Sequence, residues 1–320
     1  MRQNETTGQP DAIPTKKLLA DFRNRAPAPD QGELLHFGGV GDRDVYNITA
    51  PFSFDGKTFI AGRVEARDTE SAETVFFARQ ADGIWRPHPN APTFAKLQDP
   101  CITSISGELV IGGVEFPVEL PGRDAPGWRM SFYRGTNFET LRPLLQGPDH
   151  MKDIRLVELA NGRIGVCSRP QGTLGGRGQI GFATVDSLDE LTATAIDAAP
   201  LLAGQFLSEE WGGANELHLL ADGRLGVLGH IAWMQGSGLK EEKHYYPMTF
   251  ILDPSNNEHS PLQIIASRND FPDTAPKRPG LRDVIFSGGL LRESGETWLY
   301  AGLGDAAAGR VHIVDPFSQY

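Results

Sequence analysis

Asp99 stands in KLQDPCIT (residues 96–103), between a proline-rich segment and a strand-like run, with Pro100 directly behind it. A carboxylate held rigid at the mouth of an apolar strand can move a proton when its surroundings tune it. Asp before Pro is also a common turn initiator, and the local residues alone leave both roles open. Arg169 and His230 offer the complementary chemistry, since each closes an apolar strand, GRIGVCSR (162–169) and GRLGVLGH (223–230). A guanidinium grips phosphate in bidentate fashion and an imidazole adds a donor. Singly, Arg169 reads equally as half of a surface ion pair and His230 as a satisfied core histidine. As an ordered set they describe an anion site opposite a proton donor.

The elements that must position these groups repeat along the chain. A strand, a glycine-containing turn and a strongly apolar strand recur in PFSFDGKTFIAGR (51–63), CITSISGELVIGG (101–113), VELANGRIGVCSR (157–169), LHLLADGRLGVLGH (217–230) and LLRESGETWLYAG (290–302). Asp-Gly, Asn-Gly and Ser-Gly supply the positive φ of a tight hairpin. Further strand candidates lie between, at 74–80, 129–135, 178–185 and 246–253. This spacing fits one four-stranded blade per hairpin, and predicts an all-β, five-bladed β-propeller over residues 36–320 behind an N-terminal extension, 1–35. A β-sandwich is the competing architecture. In a propeller the inner strands meet at one mouth, and Asp99, just ahead of the second hairpin, belongs there.

Composition narrows the function. The 37 glycines and 23 prolines in 320 residues suit many turns between many strands. A net charge of −11 argues against general nucleic-acid binding, which needs a basic face. Cys101 and Cys167 make neither a disulfide framework nor a metal cluster. The N-terminus lacks an apolar signal-like region and no apolar run of about 18 residues exists, so a cytoplasmic protein without a membrane span is expected. GTLGGRGQIG (172–181) lies among strands rather than opening a helix, so it is not a dinucleotide fingerprint. His244 and His259 lack metal-ligand spacing, and no metal or other cofactor is expected. Oligomeric state is left open.

Several segments in order resemble a known family. VYNITAPFSFDGKTFIAGRVEARD (45–68), LQDPCIT, GPDHMKDIRLVELANGRIGVCSRP (147–170), GRLGVLGH and LYAGLGDA (299–306) are similar to motifs of the five-bladed mannoside phosphorylases of glycoside hydrolase family 130. The form EEWGGANELHLL (209–220) looks like the related glycosyltransferase family 108, formerly a domain of unknown function. Its members are β-1,2-mannosyltransferases that also act as phosphorylases.

The resemblance implies transfer of mannose between mannose 1-phosphate or GDP-mannose and β-1,2-mannan or mannose acceptors, with Asp99 as the single acid/base. It implies phosphate binding by Arg169, His230 and Lys152. Sugar binding falls to Asn47, Arg63, Glu65, Arg67, Asp153, Asn215, Glu216, Tyr246 and Asp305. Bland alternatives stand beside these: a buried Arg-Glu-Arg network for 63–67, turn roles for Asp153 and Asp305, and a core position for Tyr246. Two departures matter. Gln98 and Cys101 replace the family's Glu and Arg around Asp99, and Glu210 falls near a phosphate-binding Lys, where it would repel phosphate. An inverting glycosidase would instead need a second carboxylate, roughly 6.5–9.5 Å from the acid, and Glu216, Glu209 or Glu210 could supply it. A non-catalytic carbohydrate-binding propeller is the rival of another class.

Overall fold

The turn chemistry acts as the sequence predicts. In a computed structural model, which describes residues 11–25, 30–120, 122 and 124–320, Asp55-Gly56, Ser106-Gly107 and Ser294-Gly295 all take positive φ. Each closes a two-residue hairpin, pairing Phe54 with Lys57, Ile105 with Glu108 and Glu293 with Glu296. At the other two hairpins the loop is longer. Leu159 N donates to Arg163 O and Leu220 N to Arg224 O, with Gly162 and Gly223 in the left-handed region.

These hairpins seed five antiparallel meanders, and the fold is all-β. The first joins Asp44–Tyr46, Lys57–Glu65, Glu73–Arg79 and Trp85–Pro87, with Phe52–Phe54 paired to the second of them. The second runs through Leu97–Ile105, Glu108–Val118, Gly127–Gly135 and Arg142–Gln146, and the third through Arg155–Glu158, Ile164–Ser168 and Gly181–Val185. The fourth comprises Trp211–Leu219, Leu225–Gln235, Glu242–Leu252 and Gln263–Ile264. The fifth comprises Asp283–Glu293, Glu296–Leu303 and Ala307–His312, completed by Glu33–Leu34 from the chain's beginning. The second to fifth meanders pack on one another through their first strands, the first meets the second through Lys57–Glu65 and Glu73–Arg79, and Asp44–Tyr46 of the first packs back against the fifth.

The core fills the spaces between meanders. Phe54, Phe59, Phe76 and Phe138 meet edge-on or tilted between the first and second. Val110, Phe132, Ile154 and Val166 fill the next space. Cys101 and Cys167 are buried free thiols, and burial pushes the Cys167 thiol up to about 12.

Part of the expected 1–35 extension is built into this body, while its residues 1–10 and 26–29 lie outside the described residues. Helix Thr15–Arg23 buries Leu18 and Phe22 in the largest core cluster. No helix of the described residues is long and apolar enough to cross a membrane.

Candidate active site

Four of the expected site residues share an uncommon backbone state. Asn47, Asp99, Asp153 and Asp305 have φ of 44°, 50°, 58° and 55°. This left-handed region is costly for most side chains and tolerated best by Gly, Asn and Asp. Two of the four adjoin the first strand of a meander, Asn47 just after Asp44–Tyr46 and Asp153 two residues before Arg155–Glu158. Asp99 sits in a bulge, where the register with the neighbouring strand shifts between Gln98 and Cys101. Asn215 occupies an equivalent bulge between Ala214 and Glu216. Bulges of this kind re-aim a side chain out of the ladder.

Asp99 is held on one oxygen. Its Oδ1 accepts from Asn47 Nδ2 at 2.7 Å and from Arg63 Nη1 at 3.3 Å, and among the described residues its Oδ2 has no hydrogen-bond partner. Arg63 is buried and also pairs with Glu65 at 2.8 Å, while Glu65 accepts from Tyr46 Oη at 2.6 Å. The third member of this buried network is Lys277, bound to Glu65, rather than Arg67. Arg67 faces outward in an ion pair with Asp44 at 2.7 Å, so the structure does not bring it to the others.

Asp305 completes this side. Loss of hydration, and then the charge of Asp99, push its carboxyl up to about 6, against the pull of Arg63, Lys277 and Lys152. A neighbouring negative charge disfavours ionisation of a carboxyl, which is how Asp99 acts on Asp305.

A second cluster surrounds Gly213. A Cβ there would lie 3.0 Å from Arg169 Cδ, Asp153 Cβ and His230 Cε1, so glycine is what lets the three side chains converge. Arg169 is 2% exposed. Its Nε donates to Gly212 O at 2.7 Å and lies 3.4 Å from Asp153 Oδ2, while Nη1 is buried without a partner among the described residues. An orphaned guanidinium N–H in a dry site is a strong call for an anion. Burial opposes ionisation of Asp153, but the positive charges around it, Arg169 first and then Lys152 and Arg155, outweigh it and hold the carboxyl below its ordinary range.

His230 is neutral here. Burial takes its pKa down to about 3, with Arg169, Lys152 and Arg155 adding to the effect against Asp153. Its Nδ1 lies 2.8 Å from Asn215 Oδ1, which also accepts from Ser287 Oγ at 3.2 Å. With Nδ1 donating, Nε2 carries the lone pair and can accept from a protonated phosphate oxygen or a sugar hydroxyl. Lys152 makes no ion pair among the described residues, and its charge acts on Asp153, His230 and Asp305.

The remaining expected residues lie elsewhere. Tyr246 hydrogen-bonds Asp283 beside His244, on the face of its strand opposite Tyr245. Tyr245 is the one that stacks on His230, with ring centroids 5.5 Å apart, and its Oη accepts from Trp211 Nε1 at 2.9 Å. Strand alternation puts Tyr245, and not Tyr246, against His230, while Tyr246 is buried at the core position that was its alternative. Glu216, beyond the bulge, accepts from Leu290 N at 2.7 Å and ties the fourth meander to the fifth. Glu209 is exposed and bonded to Ser208 Oγ at 2.8 Å. Glu210 is buried and accepts from Thr15 N at 2.7 Å, capping the first helix rather than facing Arg169. Lys277, Tyr46, Tyr245 and Ser287 were missed, and only the Tyr-Tyr alternation offered a local signal.

The fold has solved counterparts. A mannose phosphorylase from Leishmania mexicana, MPT-4 in complex with phosphate ion, is 34% identical, with a TM-score of 0.86 over 95% of this chain and 94% of that one. MPT-1, a GDP-Man-dependent mannosyltransferase from the same organism, is 31% identical, with a TM-score of 0.84 over 94% of each chain. A β-1,2-mannobiose phosphorylase from Listeria innocua, at 13% identity, shares the fold, with a TM-score of 0.60 over 91% of this chain and 92% of that one. No curated protein matches this chain. The resemblance read in the sequence is thus borne out by these relatives. The family model described as protein of unknown function, DUF1861, matches residues 22–319, and the chain belongs to that family.

Proposed function

We propose that this protein is a β-1,2-mannosyl transferase and phosphorylase on a five-bladed β-propeller, moving mannose between mannose 1-phosphate or GDP-mannose and a β-1,2-mannan or mannose acceptor. The five meanders, each packed on the next and the last on the first, are the blades, and the Glu33–Leu34 strand closes the ring. The observation that carries the function is the division of labour at the site. Among the described residues, one carboxylate, Asp99, has a free oxygen, and a separate buried cation, Arg169, has an unpartnered N–H.

In phosphorolysis Asp99 donates its proton to the leaving glycosidic oxygen, directly or through a sugar hydroxyl. Phosphate on Arg169, His230 and Lys152 attacks C1 from the opposite face. The C1–O bond to the leaving sugar breaks, a C1–O bond to phosphate forms, and mannose 1-phosphate results. In reverse, the Asp99 carboxylate takes the proton of an acceptor hydroxyl as phosphate or nucleoside diphosphate departs. Asn47, Arg63 and Asp305 line the sugar side. Because phosphate is the nucleophile, no second carboxylate is required to activate water, and Glu216, Glu209 and Glu210 are each engaged elsewhere.

Chromatography of products after incubation with mannose 1-phosphate or GDP-mannose and a mannose acceptor tests this reading. New β-1,2-linked oligosaccharide with release of phosphate or GDP is expected; an unchanged mixture with both donors would overturn it.

A further inference from the structure

The glycine-rich stretch GTLGGRGQ (172–179) has no role in the chemistry above, yet it is folded directly onto Arg169. The carbonyl of Arg177 accepts from Arg169 Nη2 at 3.4 Å and from Gln171 Nε2 at 2.9 Å. Gly178 O accepts from Gly212 N at 3.2 Å. A Cβ on Gly178 would sit 2.4 Å from Arg169 Nη2, and its φ is 137°, so glycine is required where the loop crosses the guanidinium. The loop is therefore fixed in place by the buried anion site.

That placement sets a second cation just outside the first. The Arg177 side chain is exposed and, among the described residues, forms no ion pair; its guanidinium lies over the Trp211 ring, 5.3 Å from the centroid. Trp211 is in turn hydrogen-bonded to Tyr245, which stacks on His230. Arg177 is thus held by a rigid aromatic chain one step toward solvent from Arg169 and His230. The exposed Glu209, whose carboxyl is lowered first by Ser208, also feels the charge of Arg177.

We infer that Arg177 binds the outer phosphate of a mannosyl donor carrying a diphosphate, and so sets the preference for a sugar nucleotide over a sugar monophosphate. A single phosphate is satisfied by the buried Arg169, with its orphaned N–H, and by His230 and Lys152. A second phosphate bonded to the first and directed outward meets Arg177. This inference rests on the function proposed for the same site.

Calorimetric binding of inorganic phosphate, GMP and GDP to the full chain and to Arg177→Ala and Arg177→Lys separates the two ideas. Wild type is expected to bind GDP about tenfold more tightly than GMP, the scale of one charge-assisted contact. Arg177→Ala should abolish that difference while phosphate affinity stays within about twofold, and Arg177→Lys should restore part of it. A wild type that gains nothing from the second phosphate overturns the inference alone. So does a GDP preference that survives Arg177→Ala, or a variant that loses phosphate and GDP equally. Wild type that binds no phosphate removes the functional reading, and this inference with it.

Discussion

Asn47, Asp99, Asp153 and Asp305 all occupy left-handed backbone, where an alanine would add strain of about 1–2 kcal/mol to whatever else it removed. Asp-to-Asn exchanges avoid that cost and isolate the charge. Asp305 gives a pH prediction of definite sign. Its carboxyl is raised from 3.8 to about 6, so the folded state favours its protonated form. The resulting stabilisation is complete below the unfolded pKa, near 4, and is lost as pH rises through about 6. Urea unfolding at a series of pH values should show wild type losing stability relative to Asp305→Asn across that window. Parallel profiles would contradict the assignment. The polar pattern at this scale was only partly legible. Asp99, Asp153, Asn215 and Asp305 stand in recognisable motifs. Lys277 reaches Glu65 across more than two hundred residues, and no spacing announces it.

At the scale of elements, hairpins were the readable feature, because Asp-Gly, Asn-Gly and Ser-Gly pairs encode their turns locally. The bulges at Asp99 and Asn215 were not, since a register shift depends on the partner strand as much as on the residue. Glu210 shows how a local reading is overridden. Beside a phosphate site it would be repulsive, but the first helix brings its own N-terminal N–H and partial positive charge to this carboxylate. Glu210→Ala is expected to destabilise the fold by about 0.5–2 kcal/mol through loss of that cap. Denaturant unfolding measures this, with turnover within about twofold of wild type. A stability unchanged by the substitution would mean that the helix is held by Leu18 and Phe22 alone.

For the whole molecule, the chain's beginning is a structural part of the ring. Glu33–Leu34 supplies the outer strand of the fifth meander, and the helix covers the fourth. A chain starting at residue 36 loses that pairing and the burial of Leu18 and Phe22, each worth about 1.5–3 kcal/mol as an upper figure. A midpoint of urea unfolding clearly below wild type is expected, and an equal midpoint would show that the remaining strands close the structure unaided.

In the proposed function, one side chain of the second meander delivers a proton while a separate cationic pocket presents the nucleophile. The most direct test is the initial rate of mannose 1-phosphate formation from β-1,2-mannobiose and phosphate, for wild type and for Asp99→Asn with its fold verified. The account predicts phosphate-dependent release in wild type and a drop of about 10²–10⁴-fold in the variant, the usual contribution of a positioned acid, with phosphate affinity retained. Free mannose released without phosphate, or a variant as fast as wild type, would contradict it.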